Sequence, residues 1–253
     1  MSYNVTVEVL DRFSKRLHVN TALNFIINIP AMYLILFHST KAMGFYKYYL
    51  LYSVILTFIV DIHQTTFYGM YILLPSLINC CSGYCKHFGI AWGPRLNYMI
   101  MNINTSAVAI SLISLTVYRY CSICGKLRWF ESKYSILMVF ILGIMYPIPM
   151  VSALFIATYN MSHEELIDRV NREYPEYSLL VEQDICTIFK NRSAISAYIG
   201  IAALQVILGQ TVGFTLVCKT TRLLTSVRNS LSKATYVAQK QFLISLFPKL
   251  WSI

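Results

Sequence analysis

The sequence predicts an all-α protein, a bundle of helices that crosses a lipid bilayer several times. Three observations carry this. Of 253 residues, 57% are hydrophobic and only 13% are charged, about half the charge of a soluble domain. The apolar residues are gathered into continuous runs long enough to span roughly 30 Å of hydrocarbon. The 19 Tyr and 14 Phe suit helix ends at a lipid–water boundary, where amphipathic rings are favoured.

The runs, in order, predict helices over about 17–37, 48–74, 96–117, 134–158 and 194–218, with a partial sixth over 241–253. They form a single transmembrane domain over 1–253. A β-barrel is excluded because its strands alternate over about ten residues, whereas these runs are continuous and longer. The polar first residues and the length of the first run argue against a cleaved leader. Residues 159–193 read as a long extracellular loop and 219–240 as a basic cytoplasmic loop.

The net charge of +10 does not indicate nucleic acid, because the basic residues sit in short segments between apolar runs. With the N-terminus outside, the inner segments hold Lys41 and Lys47, then Arg119, Lys126, Arg128 and Lys133, then the basic run from Lys219 to Lys240, against the single acid Glu131. The same orientation puts the sequons at Asn4, Asn160 and Asn191 outside, where they are glycosylation candidates. A fourth sequon, at Asn104, falls within the third run.

Asp61 is the acid that lies within an apolar run. A carboxylate at that depth costs about 3 kcal/mol on insertion scales and is expected to face the bundle interior. Thr57, Gln64 and Tyr68 share its helix face. The stripe reads either as interhelical glue or as a switch site. His63 is offset and expected to face elsewhere. Asn20, Asn24 and Asn28 repeat every four residues, and Asn97, Asn104 and Ser111 every seven. Both stripes are expected to point inward, for interhelical hydrogen bonds before ligand contact. Pro30, Pro147 and Pro149 predict kinks that free backbone carbonyls.

Seven Cys in a chain of this length make no dense disulfide framework. Cys85 and Cys186 fall on the same side, and a bridge between them competes with Cys80 and Cys81. The Cys121–Cys124 pair stands alone and is weak evidence for zinc. No catalytic constellation is present, so no enzyme activity is expected, and no cofactor or metal is called for. The Lys219–Gln241 segment has an apolar side at Leu223, Leu224, Val227 and Leu231, suited to the inner membrane surface.

The segment YYLLYSVILTFIVDIHQTTFYGMYILLP resembles the nematode serpentine chemoreceptors, most closely class I with class H as neighbour. LINCCSGYC, YPIPM, YPEY and QKQFLISL follow in the same family order, from about Leu17 to Leu246. The resemblance implies a seven-helix, G-protein-coupled-receptor-like fold and chemosensory signalling. The partners it implies are the lipid bilayer, a small-molecule chemical cue, a heterotrimeric G protein and another receptor chain. The implied location is the plasma membrane of sensory neurons, with retention in the endoplasmic reticulum as the alternative. Tyr118-Arg119-Tyr120 looks like the receptor Asp/Glu-Arg-Tyr element with Tyr in place of the acid, which makes Arg119 a G-protein-side candidate. The resemblance also implies a Cys85–Cys186 bridge. Asp61, Gln64, Asn97 and Asn104 are the candidate polar or switch residues of the bundle. After Leu246 the sequence leaves the family pattern, so a C-terminally truncated receptor, lacking a complete sixth and the seventh helix and unable to signal alone, is expected. A non-signalling partner of full-length receptors and a six-helix transporter or channel subunit are the alternatives.

Overall fold

The computed structural model describes residues 6–39, 43–73, 76–128, 130–158, 162–189 and 192–227. The expected sixth segment over 241–253, most of the basic loop over 219–240, and the sequons at Asn4, Asn160 and Asn191 lie outside the described residues.

Eight α-helices and three short strands follow one another among the described residues: α1 Val7–Phe37, α2 Tyr46–Ile62, β1 Met70–Leu73, β2 Ile78–Cys81, α3 Leu96–Ile123, α4 Lys133–Met145, α5 Ile148–Thr158, α6 His163–Glu173, α7 Ser178–Glu182, β3 Cys186–Thr187 and α8 Arg192–Ser226. A π-helical turn, His63–Tyr68, extends α2, and another, Ala91–Arg95, leads into α3. Among the described residues, five helical stretches are long and apolar enough to cross a membrane: Val7–Phe37, Tyr46–Tyr68, Ala91–Ile123, Lys133–Thr158 and Ser193–Ser226. Their outward faces carry exposed Ile26, Leu34, Phe37, Ile156 and Ile207. A belt of that size is untenable in water and matches a lipid surround.

α3 is the hub. It packs against α2, α4, α5 and α8, while α1 packs on α2. Small residues let the axes approach: a Cβ built on Gly143 of α4 would lie 3.2 Å from the Ala107 Cβ of α3, so glycine permits the contact. α4 and α5 together make the fourth span, broken at Tyr146–Pro147. Pro147 and Pro149 lack the N–H groups that would continue the ladder, as their spacing predicts. Pro30, in contrast, lies inside an unbroken α1.

The all-α expectation holds for the spans, but one end of the bundle carries a small cap that the hydropathy pattern does not reveal. β1, β2 and β3 form an antiparallel sheet in that order. α6 lies beside it. Ser162 caps α6 by accepting from the Glu165 N–H at 3.1 Å, with Glu164 and Glu165 in the first turn, where acids complement the helix dipole. Leu166, Val170, Leu180 and Val181 bury against Leu73, Ile78 and Ile185. α1 starts at Val7 rather than near Leu17 because its polar first turns belong to this cap: Leu10 joins the cap core and Asp11 pairs with Lys86 at 2.7 Å.

The cap corrects the expected disulfide. Cys186 is bonded to Cys80, and Cys85 to Cys81. Sheet register decides the pairing. β2 and β3 place Cys80 directly opposite Cys186, with Cα atoms 4.0 Å apart. Cys85 sits in the turn just after β2, within reach of Cys81.

Candidate functional site

Midway along the bundle, α3, the fourth span and α8 line a partly open cavity of about 410 Å³. Its walls are mostly aliphatic, from Met101, Ala109, Ile110, Ile113, Met150 and Val206. Asn102, Thr105, Ser106, Tyr146, Gln205 and Gln210 supply the polar atoms. Among the described residues no charged side chain lines it. This size and mix of apolar wall with a few polar groups is typical of small-molecule sites.

The proline break builds one wall. It leaves the Tyr146 carbonyl without an intrahelical donor, and Gln205 Nε2 of α8 donates to it at 2.8 Å. Tyr146 returns the bond, its hydroxyl donating to the Gln205 carbonyl at 2.8 Å. The two residues therefore clasp the kink to α8. Since a carbonyl only accepts, the amide nitrogen of Gln205 must face it, and Oε1 stays buried without a partner.

A second network closes the end nearer the cap. Asn102 Nδ2 donates to the Tyr98 carbonyl at 2.7 Å, and its Oδ1 accepts from the Tyr198 hydroxyl at 3.1 Å. The Tyr98 and Tyr198 hydroxyls meet at 2.9 Å. Asn102 is 7% exposed, and both ends of its amide are satisfied, as a buried polar group in an apolar bundle requires.

At the end opposite the cap, Tyr46 and Tyr49 of α2, Tyr118 of α3 and Phe130 bury together. The Tyr49 hydroxyl donates to Ser135 Oγ. The Arg119 guanidinium lies over the Tyr46 ring, 3.7 Å from its centre.

The sequence model of the family described as serpentine type 7TM GPCR chemoreceptor Srh matches residues 10–251. The chain belongs to this family. No curated protein matches it. The chain is thus a membrane protein of the serpentine chemoreceptor type.

In this serpentine chain the residues singled out by sequence are only partly gathered. Gln64 reaches the cavity wall, donating to Thr105 Oγ1 at 3.4 Å. Asn97 meets His63 at 3.0 Å and donates to the Trp92 and Gly93 carbonyls at 2.8 and 2.9 Å. It therefore ties the π-helical turns at the ends of the second and third spans. His63, expected to face elsewhere, faces α3. Ser111 Oγ lies 3.2 Å from Ser53 Oγ of α2. Asn104, between them on the same stripe, does not line the cavity. Asp61 is half-buried, and among the described residues its carboxylate makes no hydrogen bond or ion pair. The first-helix stripe departs from expectation: Asn20 is exposed, Asn28 donates to the Asn24 carbonyl of its own helix, and Thr21 makes the link to α2, meeting Thr65 and Thr66 at 2.7 and 2.8 Å.

The cavity residues Asn102, Ser106, Tyr146 and Gln205 were not singled out by sequence. Gln205 is an isolated amide in an otherwise apolar stretch, and Tyr146 directly precedes Pro147. The amide marks a polar side chain in need of partners, and Pro147 marks the helix break beside which the structure leaves the Tyr146 carbonyl open.

Proposed function

We propose that this chain is a chemosensory receptor that takes a small chemical cue into the cavity between its third, fourth and fifth spans. The observation that carries the reading is that cavity: set mid-bundle, largely apolar, and lined by α3, α8 and the fourth span at and just after its proline break. A cue bound there touches α3, α5 and α8 at once and so biases how they sit against one another. The capped end faces outside and the Arg119 end faces the cytoplasm. Support for that orientation comes from the sequons and the basic inner segments, and from the two disulfides of the cap, which belong in an oxidising compartment.

On this reading Arg119 is the group that meets a heterotrimeric G protein once Tyr46 releases it, and the working location is the plasma membrane of sensory neurons. The test is a cue-evoked calcium response in cells expressing the chain, set against an Ala109→Trp variant that fills the cavity. A response that survives filling of the cavity overturns the assignment of the site.

A further inference from the structure

We propose that Ser106 is the anchoring point of the cavity, and that the molecules it selects are neutral, mainly hydrocarbon, and carry one carbonyl or hydroxyl oxygen. This rests on the reading of the cavity as the cue site and names the class of cue.

Most polar groups around the cavity are already engaged; those left open among the described residues are the Ser106 hydroxyl, the Gln210 amide and Gln205 Oε1, of which the last can only accept. Both ends of the Asn102 amide are used, Tyr146 and Gln205 bond to each other, and Thr105 accepts from Gln64. Hydroxyls further along α3 are turned back onto their own helix: Ser111 onto the Val108 carbonyl at 2.8 Å, Ser114 onto Ile110 at 2.8 Å and Thr116 onto Leu112 at 2.9 Å. Ser106 lines the cavity, is 9% exposed, and makes no hydrogen bond among the described residues. Its hydroxyl opens onto the cavity, where a bound molecule supplies the partner that the helix does not.

The rest of the wall sets the class. With no charged lining side chain, a carboxylate or ammonium would be desolvated without compensation. The aliphatic wall favours a hydrocarbon body. A serine hydroxyl both donates and accepts, so it serves a ketone or ester oxygen and an alcohol alike. An unsubstituted hydrocarbon fills the same space but leaves Ser106 unpaired.

The experiment uses the full chain in lipid nanodiscs and two probes: methyl hexyl ketone, and the hydrocarbon in which a CH2 group replaces its carbonyl oxygen. Saturable binding is read from the shift in unfolding temperature, with affinities referred to each probe's concentration in the lipid. One neutral hydrogen bond predicts about a five- to tenfold preference for the ketone. Ser106→Ala should bring the two affinities together by weakening the ketone while leaving the hydrocarbon unchanged. Ser114→Ala, whose hydroxyl is bonded to its own helix, should preserve the preference. Equal affinities in the unaltered chain, or a preference that persists in Ser106→Ala, overturn the role of Ser106 but leave the cavity as a site. If Ser106→Ala does not accumulate, the ratio in the unaltered chain decides. Absence of saturable binding by either probe, or binding that Ala109→Trp does not abolish, overturns the cavity reading itself.

Discussion

The Arg119 guanidinium carbon lies 3.7 Å from the centre of the Tyr46 ring, a cation stacked on an aromatic face between the ends of α3 and α2 that lie away from the cap. The ring is itself fixed, being 3% exposed and 5.2 Å from the Tyr118 ring. Such a contact is worth about 0.5–2 kcal/mol, more where water is excluded. Tyr46→Leu is therefore expected to destabilise the detergent-solubilised chain by about 1–2 kcal/mol, while Tyr46→Phe, which keeps the face, stays close to the parent. Thermal unfolding of both variants checks this. Equal losses in the two would locate the effect in the phenol and not in the ring.

The cap makes a covalent prediction. Mass spectrometry of non-reduced peptides should recover Cys80 linked to Cys186 and Cys81 linked to Cys85. Cys186→Ser should cost about 2–5 kcal/mol, and Cys85→Ser much less, since its bridge closes a separation of only 4 residues against 106 for the other. A Cys85–Cys186 peptide would refute the register described for the sheet.

At the α3–α4 crossing, Gly143 faces Ala107 too closely for a larger residue. Gly143→Leu is expected to cost about 1–3 kcal/mol by overpacking. Ala107→Gly, combined with it, should restore part of the loss. A fully additive pair in thermal unfolding argues that the two residues do not touch.

The clasp between the kink and α8 invites a double-mutant cycle. Tyr146→Phe removes one of its two hydrogen bonds and Gln205→Leu the other. A coupling of about 0.5–1 kcal/mol is expected, in line with interhelical hydrogen bonds in membranes. A coupling of zero would mean that the wall is held by apolar packing alone.

Orientation has its own check. Asn4→Gln should increase gel mobility in a glycosylating cell, because that sequon is expected outside. An unchanged mobility, together with cytosolic labelling of the N-terminus, reverses the topology.

Much of the bundle was legible because its information is local. A run such as Leu17–Phe37 declares a span by composition, and Pro147 declares a break by lacking a donor. The cap was not legible. β1 and β2 have four residues each and β3 two, too short for alternation to register, and the β2–β3 pairing spans more than a hundred residues of chain. The disulfide error followed directly, since register and not proximity to α3 chooses between Cys80 and Cys85. The cavity residues were hidden for another reason. Ser106 is unremarkable in sequence. Only the absence of a carbonyl partner distinguishes it from Ser111, and that is a property of the packed helices.

The two bridges of the cap differ in when they can form. Cys81 and Cys85 are 4 residues apart and meet as soon as that stretch leaves the ribosome, at little loop-closure cost. Cys80 must wait for Cys186, 106 residues later, by which time the third and fourth spans have been made. The early, local bridge removes the two thiols that would otherwise compete for Cys186. With Cys81 and Cys85 bonded to each other, Cys80 is the thiol of that stretch left to close the cap.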